Sequence, residues 1–176
     1  MKKFAMLIFT LGIVTGLFGF EAVLFIQEEI TIKKYYEFKQ FHPDCKREWF
    51  DAIIKECERN GIEEIEVLPG VVRSGYIVIG AIAKAESNWK TGAYSEAGAR
   101  GIMQVMAKHH LPKRTDPKVL YDPIICIQYG VKVFADNLIS CKGNFIKSLS
   151  MYERGNGKVL NVDYVAKVWE NLYKEI

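Results

Sequence analysis

Apolar residues run almost unbroken through two stretches of this chain and recur at helical spacing through most of the rest. Seventeen residues, Phe4 to Phe20, carry no charge, and Ala22-Val23-Leu24-Phe25-Ile26 resumes the run after Glu21. In the second stretch, Tyr76 to Ala85, only Gly80 and Lys84 interrupt the large or apolar side chains. A helix with almost no polar face must be buried all round, so Val71 to about Ser87 is predicted as the central helix of a core. Before it, Trp49, Phe50, Ile53, Ile54 and Cys57 predict a helix capped by Asp44, running to Asn60 and stopped by Gly61. Ile62 to Val67 alternates and reads as strand or loop, and Pro69-Gly70 breaks it. After it, residues 88–101 form a loop with Gly92, Gly98 and Gly101, and a short helix is expected over Ile102–Lys108. An irregular basic stretch then leads to Pro123, which suits the first turn of a helix reaching about Ser140. Gly143-Asn144 turns the chain into a helix ending near Tyr152, and a last helix covers about Val162–Lys174. The pattern predicts a mainly α domain over residues 44–176, with room for one small β-hairpin.

The first run changes the picture because Lys2 and Lys3 precede it. A basic start before an apolar run marks export. The run is long enough to span a bilayer and lacks a clear small-x-small cleavage site, so residues 1–26 read as an uncleaved signal anchor rather than a cleaved peptide. The lysines before it and Glu28-Glu29 behind it put the domain on the outer face. Residues 27–43 then read as a stalk. With 49% hydrophobic and 26% charged residues, the bulk is an ordinary globular domain, and a net charge of +3 without a basic block excludes a nucleic-acid partner. Cys45, Cys57, Cys126 and Cys141 match no zinc spacing, and His42, His109 and His110 read as surface residues, so neither metal nor cofactor is expected. In an exported chain the cysteines suggest disulfides between two cysteine-bearing helices, pairing 45–126 with 57–141 or 45–141 with 57–126.

Glu86 ends the apolar central helix. Cleaving a glycosidic bond requires protonating a poor leaving-group oxygen, which a carboxylic acid does only if it stays protonated near neutral pH. An apolar surround and the negative pole of the helix both raise its pKa. The plain alternative is a structural ion pair with Arg100 or Lys84.

The stretch Glu86-Ser87-Asn88-Trp89 … Ser95-Glu96-Ala97-Gly98-Ala99-Arg100-Gly101-Ile102-Met103-Gln104-Val105-Met106 resembles the soluble lytic transglycosylases, a family of peptidoglycan enzymes. Leu120-Tyr121-Asp122-Pro123, then Tyr152-Glu153-Arg154-Gly155-Asn156-Gly157, then Tyr164-Val165-Ala166-Lys167-Val168 follow in the family's order. The resemblance spans about residues 72–175 and implies a lysozyme-like, goose-type α fold. It implies Glu86 as sole acid and base, Ser95, Met103 and Gln104 along the sugar groove, and Tyr152 beside the carboxylate. It further implies peptidoglycan glycan strands as substrate, cut at the MurNAc–GlcNAc β-1,4 bond to leave 1,6-anhydro ends, and a place in the periplasm or on the envelope's outer side. An envelope-spanning secretion or assembly machine is a fitting partner. Ser95 and Met103 also have plain roles available, as loop cap and core filler. Lys90, Ala107 and Cys126 depart from the family's usual residues, and Glu153 stands where Asn follows the tyrosine. Glu153 therefore reads as a second acid at the cleft edge or as a surface residue paired with a nearby base. Two other functions stay open: a lysozyme-like hydrolase, and a weakly active glycan-binding scaffold.

Overall fold

The structure is a computed structural model that describes residues 18–155 and 160–173. Most of the expected signal anchor lies outside the described residues, among which no helix is long and apolar enough to cross a membrane. The chain divides into two units, residues 1–37 and 38–176. Helix α1, Phe18–Phe41, supplies most of the first and runs through the segment read as a stalk. Its final turn belongs to the second unit, where Phe38 and the following His42 are fully buried. His42 is thus a core residue and not a surface one. Its ring packs against both Phe38 and Trp89, and a ring nitrogen meets the Ile77 carbonyl at 3.3 Å.

Helix α2, Arg47–Arg59, starts two residues later than the Asp44 cap predicts, because His42 to Cys45 form a turn and Lys46 is still extended. It buries Trp49, Phe50, Ile53 and Cys57 on one face and packs on α5. The alternating piece after Gly61 is a strand. β1, Glu64–Leu68, pairs antiparallel with β2, Val71–Ser74, around the Pro69-Gly70 turn. Helix α3, Gly75–Ser87, follows directly and is buried at ten of its thirteen positions, as its missing polar face requires. Its packing needs small residues. A Cβ at Gly75 would sit 1.8 Å from the Ile62 carbonyl oxygen, and one at Gly80 would strike His42 and Phe38.

Residues 102–108, expected as a short helix, instead hold a second hairpin. β3, Ala99–Arg100, pairs with β4, Val105–Met106, and only Ala107–His110 is helical (α4). The turn between the strands uses left-handed backbone at Gly101 and Gln104, which a helix cannot contain. The domain is therefore mainly α with two small hairpins. A 3₁₀ turn, Pro117–Tyr121, leads into α5, Pro123–Ser140. The Asp122 carboxylate caps α5 by accepting from the Ile124 and Ile125 N–H groups at 2.9 and 3.1 Å, with Pro123 in the first turn. Helices α6, Phe145–Arg154, and α7, Val162–Leu172, are likewise capped by side chains, of Asn144 and Asn161. Helix α7 lies along α3, and α6 lies on α5. No disulfide joins Cys45, Cys57, Cys126 or Cys141, so neither expected pairing forms.

Candidate active site

Glu86 is the last residue but one of α3, whose C-terminal cap is Asn88 in the left-handed conformation. The carboxyl is partly buried, and desolvation pushes its pKa from 4.5 up to about 7. A hydrogen bond from Tyr164 and the charge of Lys167 oppose the rise, and the Glu153 charge adds a little to it. At neutral pH the group is divided between acid and carboxylate. That is the state a group needs if it must give a proton and then take one.

One face of α7 organises this end of α3. The Tyr164 hydroxyl donates to Glu86 Oε1 at 2.6 Å. One turn on, Lys167 Nζ donates to the Ala85 carbonyl, and Asn171 Nδ2 reaches the Ala81 carbonyl at 3.3 Å. Positions 164, 167 and 171 share a helical face. Two of them hold backbone carbonyls of α3, and the third holds the carboxyl. Neither Tyr164 nor Lys167 stands out from composition or charge. Both fall in the closing block that resembles the family, which assigns neither a role; the signal for their roles is the 3–4–7 spacing of polar residues facing a helix that has no polar face of its own.

On the other side stands the β3–β4 hairpin. Ser87, next to Glu86, donates its hydroxyl to the Ile102 carbonyl at 2.8 Å, which ties the hairpin turn to the helix end. The Tyr152 hydroxyl donates to the Met103 carbonyl at 2.8 Å. Tyr152 lies near enough to Glu86 for that charge to raise its phenol, after burial has done most of the work. Of the sequence-predicted residues, Tyr152 and Glu153 lie within electrostatic reach of Glu86, and the others are placed in unequal ways. Met103 contributes its carbonyl only. Its side chain is fully buried against Gly130, where even a Cβ would meet its sulfur at 2.5 Å, so it is core filler and not groove wall. Ser95 is partly exposed, and its Oγ accepts from the Ala99 N–H at 3.0 Å, capping the loop that enters β3. Gln104 is also partly exposed, with left-handed backbone (φ 48°) and its amide donating to the Gly101 carbonyl at 3.0 Å. Glu153 is exposed and bonded to Arg154 at 2.9 Å. Asn156 and Gly157 lie outside the described residues, among which no cluster of His, Cys, Asp or Glu could hold a metal ion.

The family model of the transglycosylase SLT domain matches residues 74–168, more than half of the chain and every residue from Glu86 to Lys167. The chain belongs to the soluble lytic transglycosylase family. Among solved structures it is similar to the 70 kDa soluble lytic transglycosylase Slt70 from Escherichia coli. The two are 23% identical with a TM-score of 0.53, over 79% of this chain and 21% of that one. It is also similar to an inactive mutant of the lytic transglycosylase Slt from Pseudomonas aeruginosa, at 18% identity and a TM-score of 0.46 over 69% and 20% of the two chains. The chain therefore spans about a fifth of the length of those structures. The likeness to the Escherichia coli protein is one of fold, and the cleft described above is built from this chain's own contacts.

Proposed function

We propose that the chain cleaves the MurNAc–GlcNAc β-1,4 bond of peptidoglycan as a lytic transglycosylase, with Glu86 as its one acid and base. The observation that carries the reading is the raised pKa of Glu86, about 7, at the end of a buried helix in a chain of this family. Tyr164 occupies Oε1, leaving Oε2 to face substrate. Protonated Glu86 gives its proton to the glycosidic oxygen as the bond to the anomeric carbon breaks. The 6-hydroxyl of the same MurNAc then attacks that carbon, and the Glu86 carboxylate takes the hydroxyl proton. The acid is restored, and a 1,6-anhydro ring closes without water. Ser95, Gln104 and Tyr152 line the groove in this scheme, and the buried Met103 carbonyl positions the Tyr152 hydroxyl. Such an enzyme works on the outer side of the inner membrane, where residues 4–26 would anchor it, and an envelope-spanning assembly is a fitting place for it.

Mass spectrometry of fragments released from purified sacculi tests the reading. Anhydro-ended muropeptides are expected from the parent. Glu86→Gln, neutral and nearly isosteric, is expected to lose about 10²–10⁴-fold in release. Activity of Glu86→Gln within a few-fold of the parent would remove Glu86 from the mechanism. Reducing ends in place of anhydro ends would favour the hydrolase, with Glu153 the candidate to activate water. Binding to sacculi without release would favour the scaffold.

A further inference from the structure

Where the end of α2 packs on α5 there is an open pocket of about 340 Å³, lined by Glu56, Arg59, Asn60, Gln128, Tyr129 and Lys132. It lies apart from the cleft. On α5, Cys126 and Gly130 face the hairpin, and Gln128 and Lys132 sit roughly 160–240° around the helix from them. Glu56, Arg59 and Asn60 also precede the stretch that matches the family model. Glu56 is the unusual member. Its side chain is only 4% exposed, yet among the described residues its carboxylate accepts no hydrogen bond, and its ion pair with Arg59 is long, at 3.8 Å. A buried carboxylate without a donor is costly, and a ligand that donates to it offsets that cost. Asn60, one turn on, donates its Nδ2 to the Glu56 main-chain carbonyl at 2.8 Å. Among the described residues, its own side-chain carbonyl, the Gln128 amide and the Tyr129 hydroxyl enter no hydrogen bond, and all three residues line the same space. The charges of the walls cancel. Glu56 stands against Arg59, and Lys132 is bonded to Asp136 at 2.9 Å. The pocket therefore suits a polar ligand without net charge.

We propose that this pocket holds an N-acetylated sugar of a glycan strand, as a second, non-catalytic binding site apart from Glu86; the choice of ligand class rests on the function proposed above. The walls supply the matching chemistry. Sugar hydroxyls are the donors that the Glu56 carboxylate lacks. An acetamide group pairs donor to acceptor with the Gln128 amide, and its N–H suits the open Asn60 carbonyl. Tyr129, half-buried, presents an apolar ring with a polar tip to the C–H face of a sugar. A volume of about 340 Å³ is at the small end of the roughly 300–1,000 Å³ of small-molecule sites, which fits a short piece of a strand and not a folded partner. An anionic polymer would bring more negative charge to Glu56, and a basic peptide would meet Arg59 and Lys132. A strand held here keeps the enzyme on its substrate while the cleft exchanges one bond for the next, since a second contact raises the effective concentration at the first.

Binding separates this site from the reaction. The full chain carrying Glu86→Gln, isotopically labelled, is titrated with the soluble tetramer of β-1,4-linked N-acetylglucosamine and followed by NMR. Two separate sets of shifted amides are expected, one around Glu86 and Gln104 and one over residues 56–60 and 128–132. Glu56→Gln is expected to weaken the second set's affinity about tenfold, the loss of a hydrogen bond to a charged group, and Gln128→Ala, at an exposed position, a few-fold. Both should leave the affinity read at Glu86 and Gln104 unchanged, which also reports that the variants fold. No shifts over residues 56–60 and 128–132, unchanged affinity there in both variants, or equal weakening at the two places by Gln128→Ala each overturns the site. So does equal binding there of cellotetraose, which lacks the acetamide. A chain that binds at both places but releases no anhydro ends from sacculi overturns the proposed reaction and leaves this site standing. Release of anhydro ends with shifts confined to the cleft does the reverse.

Discussion

Glu86 holds its proton because burial costs the carboxylate more than its two helpers return. With a pKa near 7, kcat/KM is expected to fall about tenfold per pH unit above neutrality, since only the protonated form can act as the acid. Its neighbours should move that limb in opposite directions. Tyr164→Phe removes the bond that favours the charged form, so the limb should shift upward while the rate falls because the carboxyl is no longer held. Glu153→Asn removes a like charge and should shift it downward, by less, because the Glu153 influence is the weakest of the four. Anhydro products should persist in both variants. A change from reducing to anhydro ends on Glu153→Asn would instead show that Glu153 had been activating water. The same shift has a stability side. The folded chain keeps the Glu86 proton up to about pH 7, whereas the unfolded chain releases it near 4.5. Stability is therefore lost as pH rises through that window and stays lost above it. Glu86→Gln escapes the loss and should unfold later than the parent at pH 8, by about 1–2 kcal/mol once partial solvent access is allowed for. The two melting curves should coincide at pH 4.

Caps and breakers made most elements readable, and left-handed backbone hid the one that mattered most. The Asp122-Pro123 start, the Gly143-Asn144 turn and the all-apolar α3 each announce themselves through one local rule. The β3–β4 hairpin does not. Ile102-Met103-Gln104-Val105 has the spacing of a helix start, but its shape is set by Gly101 and by contacts from distant elements. A Cβ at Gly101 would lie 2.0 Å from the Leu120 carbonyl oxygen, and its φ is 74°. Gly101→Ala should therefore cost about 3 kcal/mol or more, combining backbone strain with a clash against main chain. Thermal unfolding measures it, and a loss under 1 kcal/mol would mean that the hairpin floor is plastic. Ser87→Ala tests the other tether. Losing its bond to the Ile102 carbonyl should cost about 1 kcal/mol and raise KM more than it lowers kcat, because the turn that carries Gln104 loses its anchor beside Glu86.

Across the whole molecule, the sequence patterns reveal helices more readily than they reveal what the helices enclose. Phe38 and His42 lie in a segment whose charges suggest a solvated stalk, yet they fill the space that Gly80 leaves open on α3. The cysteines show the same gap between spacing and placement. Their positions on two helices suggested bridges between those helices, but each thiol is absorbed where it stands. Burial pushes the Cys45 thiol up to about 12 and that of Cys126 to about 11, and Cys57 is also buried. Thiolate is the reactive form, so these three should resist alkylation at pH 8 in the native state, while the partly exposed Cys141 reacts. Mass spectrometry after brief iodoacetamide treatment should find one modified cysteine, and four after denaturation. Cys126 is the informative site. Its sulfur lies under the hairpin, accepting from the Met103 N–H at 3.4 Å and sitting 2.7 Å from where a Gly101 Cβ would be. Modification there requires the hairpin to lift from α5 and should be accompanied by loss of activity. Rapid Cys126 labelling with activity retained would show that the hairpin opens without disturbing the Glu86 cleft, contrary to the coupling of turn, helix end and carboxyl described above.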